Sequence, residues 1–175
     1  MSLPTTLEHK GPDVCRISCD YNFLRQSEMF AGAPPEIIKL FAYLAKHKTY
    51  QPGEKIITLN EKADGSFFLV SGEVEISTIH HDQDVTIQRL HTGAFFGELS
   101  LLARFKWFFD ATATETTELI VINRESFRKL LEQFPDHRDN ITEKIIQLRV
   151  SRLQEQTTYM LDRCIETGRT VQEGQ

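Results

Sequence analysis

The sequence predicts an α+β fold in which eight short strands form a compact antiparallel barrel or roll, entered and left through helices. Between residues 47 and 123 the chain falls into short strand-like segments, broken about every eight to twelve residues by Pro52-Gly53, Asp64-Gly65, Ser71-Gly72, Asp82-Gln83 and Thr92-Gly93. On either side of that stretch the apolar residues recur at helical spacing instead. With 175 residues, 40% hydrophobic and 26% charged, the chain is long enough for one core with helical appendages.

Residues 1–20, with Pro4, Gly11 and Pro12, read as an irregular arm. A short helix is expected over 21–29, with Phe23, Leu24 and Phe30 as its apolar contacts. Ala31-Gly32-Ala33-Pro34-Pro35 interrupts it, and a proline near the start suits a new helix whose core side is Ile37, Leu40, Phe41 and Leu44. Strands are predicted over 48–50, 55–59, 66–70, 73–79, 85–90, 94–96, 110–114 and 118–123. Val74, Ile76 and Thr78 alternate with Glu73, Glu75 and Ser77, so that strand has one face in and one face out. Val70-Ser71-Gly72-Glu73 reads as a two-residue hairpin turn.

Asn123 is an N-cap for a helix carrying Phe127, Leu130, Leu131 and Phe134 and ending at Pro135. A longer helix is expected over 136–167, stopped by Gly168. Ile141, Ile145 and Leu148 form one stripe on it, suited to packing on the roll. Ile146, Val150, Leu153, Thr157, Met160 and Cys164 recur at spacings of four and three, a heptad seam that predicts pairing with a second copy. The expected divisions are therefore an arm (1–20), the helix-flanked roll (21–134), a dimerising helix (135–168) and a tail (169–175).

Composition excludes several functions. A net charge of −5 argues against a surface dominated by nucleic-acid binding. No apolar run approaches the ~18 residues of a membrane span, and no basic-then-apolar leader opens the chain, so a cytoplasmic protein without membrane contact is expected. Cys15, Cys19 and Cys164 lack both a disulfide framework and a zinc spacing and read as reduced thiols. His80-His81-Asp82 suits a hairpin tip better than a metal site, because adjacent strand residues point to opposite faces. No nucleophile elbow, P-loop, zinc-protease or kinase signature is present, and no enzyme is expected.

The stretch with chemical content is Gly93-Ala94-Phe95-Phe96-Gly97-Glu98-Leu99-Ser100-Leu101-Leu102. A short aromatic strand ends at Gly97, and a helical run follows at once. Backbone N–H groups at a helix start lack intrahelical partners, and a glycine lets an anion approach them without a Cβ in the way. Glu98 would repel a phosphate directly, but it suits a sugar hydroxyl, from which a carboxylate accepts a hydrogen bond.

Four stretches in order over about residues 29–134 resemble the cyclic-nucleotide-binding domain family, the regulatory fold of catabolite-activator regulators, cyclic-nucleotide-dependent kinases and gated channels. They are Met29-Phe30-Ala31-Gly32, Tyr50-Gln51-Pro52-Gly53-Glu54, Phe68-Leu69-Val70-Ser71-Gly72-Glu73-Val74, and Gly93 through Leu102. The resemblance implies an N-terminal helical segment, an eight-stranded, jelly-roll-like β-roll, and two C-terminal helices that move when ligand binds. It implies a cyclic purine nucleotide, cAMP or cGMP, as ligand, with no other cofactor. Gly97 and the amides of Glu98, Leu99 and Ser100 would hold the cyclic phosphate, and Glu98 would accept from the ribose 2′-hydroxyl. Phe96, Phe109, Asp110 and Ala111 fall at the remaining ligand-facing positions of this cassette.

The second half of the cassette departs from the family. Where members carry Arg-x-Ala-Thr/Ala, this chain has Phe109-Asp110-Ala111-Thr112-Ala113, so the phosphate-pairing arginine is absent. Such a charge-assisted pair is worth about 1.5–3 kcal/mol, so its loss weakens binding roughly ten- to a hundredfold. Arg104 or Lys106 could swing in to replace it, or both could be solvated loop residues. Trp107-Phe108-Phe109 could stack on a purine or fold inward and fill the pocket. Two functions follow: a sensor binding cyclic nucleotide weakly and signalling through its C-terminal helices to an unidentified partner protein, or a ligand-free fold serving dimerisation or docking. The residues after the long helix are too few for a helix-turn-helix domain, so no direct DNA contact of that kind is expected.

Overall fold

The computed structural model describes residues 12–166. The strands sort into two four-stranded antiparallel sheets because two different patterns of apolar residues alternate along them. The first sheet has the order β1-β8-β3-β6, from Lys46–Tyr50, Thr117–Asn123, Gly65–Ser71 and Phe95–Phe96. The second has the order β2-β7-β4-β5, from Lys55–Ile57, Asp110–Ala113, Glu73–His80 and Gln83–His91. In β3 and β8 both faces are apolar: Phe67, Leu69 and Leu119 face the space between the sheets, while Phe68, Ile120 and Ile122 face helices on the outside. In β4 only Val74 and Ile76 are buried: the predicted alternation holds as far as Ile76, and past the irregularity between Ile76 and Ser77 the expected inward Thr78 is half-buried like Ser77.

The helical layer packs on the outer face of the first sheet. Helix α1 spans Pro12–Arg25, α2 spans Pro35–Leu44, α4 spans Arg124–Gln133 and α5 spans Pro135–Glu166. Phe41 of α2 meets Phe30 edge-on at 4.8 Å and Phe127 of α4 at 6.0 Å, and Phe30 stacks on Phe68 of the sheet. Asn123 caps α4 as expected, its side chain accepting from the Ser126 N–H at 2.8 Å. On α5, Ile141, Ile145 and Leu148 are buried in this layer. Its 32 residues make a rod of about 48 Å. The expected stop at Gly168 and the tail 169–175 lie outside the described residues, as do residues 1–11.

All eight predicted strands are present, with shifted ends, but two local expectations are corrected. The irregular arm does not extend to residue 20, and no separate helix runs over 21–29: α1 starts at Pro12, where a proline without an N–H can open a helix, and a 3-10 turn at Glu28–Phe30 follows it. The Gly72 turn is not a hairpin, because β3 and β4 lie in different sheets and the turn is the corner between them. The β4–β5 tip is His81-Asp82, both with positive φ (50° and 58°), within the expected His80-His81-Asp82 tip, and Gln83 already belongs to β5. One unforeseen tie joins α1 to the sheet: His47 Nε2 stands 2.9 Å from Asp20 Oδ1, and its Nδ1 2.8 Å from Glu118 Oε1.

Candidate functional site

The site is built where β6 ends. Phe95 and Phe96 pair with Phe68 and Phe67 of β3 and stack on them, at 4.1 and 5.1 Å between ring centroids. Gly97, at φ 75°, then turns the chain into the four-residue helix α3, Leu99–Leu102. The Ser100 N–H donates to Gly97 O at 3.0 Å, and its hydroxyl donates to Gly65 O at 2.5 Å. Ser100 is thus buried against β3 and is not a lining residue. The far end of α3 is held by Arg124, whose guanidinium donates to the Ser100, Ala63 and Ala103 carbonyl oxygens. Burial, and after it the neighbouring Arg104, pushes the pKa of Arg124 down, while Asp64 acts the other way.

Above Gly97 lies a cavity of about 300 Å³, bounded by the β6–α3 turn, strands β4 and β5, the 103–109 loop and α5. Of the residues singled out from sequence, Phe96, Gly97, Glu98, Leu99 and Phe109 line it, while Ser100, Arg104, Lys106, Asp110 and Ala111 do not. The loop runs alongside residues 60–63: Trp107 N–H donates to Glu61 O at 2.8 Å, and Lys106 bridges Lys62. In an extended segment successive side chains alternate. Phe105, Trp107 and Phe109 therefore turn inward as a chain of ring contacts, each pair 5.4 Å apart, and Arg104 and Lys106 turn out to solvent. Of the two alternatives for these cations, that parity supports solvated loop residues and not a cation that completes the site.

Asp110 is also accounted for away from the cavity. Its carboxylate accepts from the Leu59 N–H at 2.9 Å and faces Lys55 Nζ at 3.1 Å. Phe108 sits at the rim, 58% exposed, so the aromatic run borders the cavity without filling it. Trp107 has a further effect: a Cβ built on Gly97 would stand 3.0 Å from its ring. The Cα side of Gly97 thus faces an indole.

Positive charge reaches the cavity from α5, which sequence reading missed. Arg149 and Arg152 line it, and Arg152 Nη1 lies 3.5 Å from Oε2 of Glu98, itself only 5% exposed. Gln156 continues the same face. A signal existed: the apolar stripe of Ile145 and Leu148 continues at Arg149, Arg152 and Gln156, so the core-facing side of α5 turns polar where it leaves the roll. Among the described residues no cluster of His, Cys, Asp or Glu could hold a metal, and no helix is long and apolar enough to cross a membrane.

The sequence profile described as the cyclic nucleotide-binding domain matches residues 47–134, half of the chain. The cyclic AMP receptor protein of Thermus thermophilus is 29% identical over 113 residues, 64% of this chain and 52% of that protein, so the chain spans about half of that relative's length. The solved catabolite activator protein of Thermus thermophilus superposes with a TM-score of 0.67 at 27% identity, covering 77% of this chain and 62% of that one. A cyclic nucleotide-binding domain from Methylobacillus flagellatus, at 18% identity, shares the fold with a TM-score of 0.75 over 93% of this chain and 88% of its own. The roll of two four-stranded sheets, the glycine turn into α3 with its buried glutamate, and the matched profile together place this chain in the cyclic nucleotide-binding domain family of regulatory domains.

Proposed function

We propose that the domain is a sensor that binds a cyclic purine nucleotide, cAMP or cGMP, in the cavity over Gly97 and passes its occupancy through α4 and α5 to a partner protein. The observation that carries this is Glu98: a carboxylate 5% exposed is held at the wall of an open cavity, beside a glycine turn and under aromatic rings. A buried carboxylate is costly unless it is paired and hydrogen-bonded; Arg152 at 3.5 Å offsets its charge, and a ribose hydroxyl in the cavity would donate to the lone pairs left over. Aromatic walls at Phe96, Trp107 and Phe109 suit a purine. Weak binding is expected, because the cassette itself brings no cation to a phosphate. The relative named for cyclic AMP supports the ligand class.

Calorimetric titration with cAMP and with cGMP tests the reading: saturation in the micromolar-to-millimolar range is expected, and a flat titration at millimolar ligand removes it. The second reading, a fold without a ligand that serves dimerisation or docking, draws on one observation, the indole of Trp107 against Gly97. Pairing of two copies through α5 fits either reading. Ile146, Val150, Leu153 and Met160 form an exposed stripe on a helix whose opposite stripe is already buried.

A further inference from the structure

The cassette lacks its cation, yet the cavity does not. Among the described residues its lining cations are Arg149 and Arg152, one helical turn apart on α5 and both half-buried, while Gln147, Val150, Ser151 and Leu153 around them are exposed. Arg152 faces Glu98 at 3.5 Å. Arg149 makes no hydrogen bond or ion pair among the described residues. The other nearby cations are spent or turned away: Lys55 is on Asp110, and Arg104 and Lys106 face solvent. A half-buried guanidinium beside an apolar wall is under-satisfied until an anion reaches it.

We propose that Arg149, assisted by Arg152, supplies the positive charge that Phe109 fails to supply, so that the anionic group of the ligand is held by α5 and not by the roll. The proposal rests on the cyclic-nucleotide reading above and adds which residues meet the charge. Guanidinium groups hold phosphate oxygens through paired N–H donors, a role that a lysine or glutamine fills poorly. The arrangement has a regulatory consequence. Because the cation rides on the same helix as the Ile146–Val150–Leu153 seam, the ligand's charge acts directly on the element that would face a partner. An uncharged nucleoside would fill the cavity without engaging α5.

The test is a titration of the full chain, followed by calorimetry, with cAMP, cGMP, adenosine and guanosine. It is run on the wild type, Arg149→Gln, Arg149→Lys and Arg152→Gln, with Arg104→Gln as a loop control. The expected result is that Arg149→Gln weakens cyclic-nucleotide binding about ten- to a hundredfold while leaving nucleoside binding unchanged, with Arg149→Lys in between. Binding of the cyclic nucleotides, and not of the nucleosides, should also fall with added salt. An Arg149→Gln protein that binds cyclic nucleotide as the wild type does overturns the assignment alone, as does a larger loss for Arg104→Gln. A wild type that binds no cyclic nucleotide overturns the underlying reading and this one with it. Circular dichroism of each variant separates loss of binding from loss of fold.

Discussion

Trp107 lies over Gly97 so closely that a methyl group at position 97 would stand 3.0 Å from its indole and 3.2 Å from Gly65 O. Gly97 also holds φ 75°, a conformation that costs a residue with a Cβ about 1–2 kcal/mol. Gly97→Ala is therefore expected to lower thermal stability and to displace the indole. Trp107 is the one tryptophan of the chain, so its fluorescence reports this position alone. A red-shifted emission in Gly97→Ala is the expected result, and an unchanged spectrum would show that the contact is looser than described.

Gly72 and Gly53 separate two causes of glycine demand. Both have positive φ, 94° and 86°, but a Cβ at Gly72 would lie 2.5 Å from Thr117 Oγ1 and 2.7 Å from Thr116 O, whereas a Cβ at Gly53 would meet nothing within 4 Å. Gly53→Ala should cost only the backbone term of about 1–2 kcal/mol. Gly72→Ala adds overpacking at the corner between the sheets, for a total of about 2–5 kcal/mol. Chemical denaturation of the two variants side by side measures the difference, and equal losses would contradict it.

Removing His47 should strand Asp20. That carboxylate is 5% exposed, and the imidazole is its partner, at 2.9 and 3.0 Å from its two oxygens. His47→Ala is expected to destabilise the chain by about 1–3 kcal/mol, the cost of an unpaired buried group. Glu118→Ala should cost less, because its side chain is 42% exposed and regains water. Thermal melts of both variants decide the order, and a larger loss for Glu118→Ala would reverse the account.

The two stripes of α5 should respond oppositely. Ile145 is fully buried under the first sheet, so Ile145→Ala is expected to cost about 2–5 kcal/mol. Leu153 is 55% exposed, so Leu153→Glu should leave the folded chain intact and turn a dimer into a monomer in light scattering. A dimer that survives Leu153→Glu would remove the seam at Ile146, Val150 and Leu153 as its contact.

What the sequence made legible was local. Turn punctuation bounded the short strands, period-two alternation marked the buried face at Val74 and Ile76, and the apolar spacing on Ile37 to Leu44 and on Ile141 to Leu148 marked helix faces, because each signal is set within a few residues. The errors arose where an outcome depends on distant chain. Gly72 announces a turn but not that its two strands join different sheets. Pro12 reads as a break until the helix following it is known to be tied to β1 and β8 through Asp20 and His47. Arg104 and Lys106 lie near the cassette in sequence but on the outer side of an extended loop. Arg149 and Arg152 lie far from it in sequence and against it in space.

Phe95 and Phe96 have a consequence for how the molecule responds to strain. Phe96 stacks on Phe67 in the core between the sheets, while its neighbour Phe95 stacks on Phe68 in the core under the helices. A single peptide bond therefore links two interiors that are otherwise partitioned by the sheet. Substituting Phe96 and Phe68 to leucine, singly and together, should give losses that do not add, although the two side chains face opposite sides of the sheet.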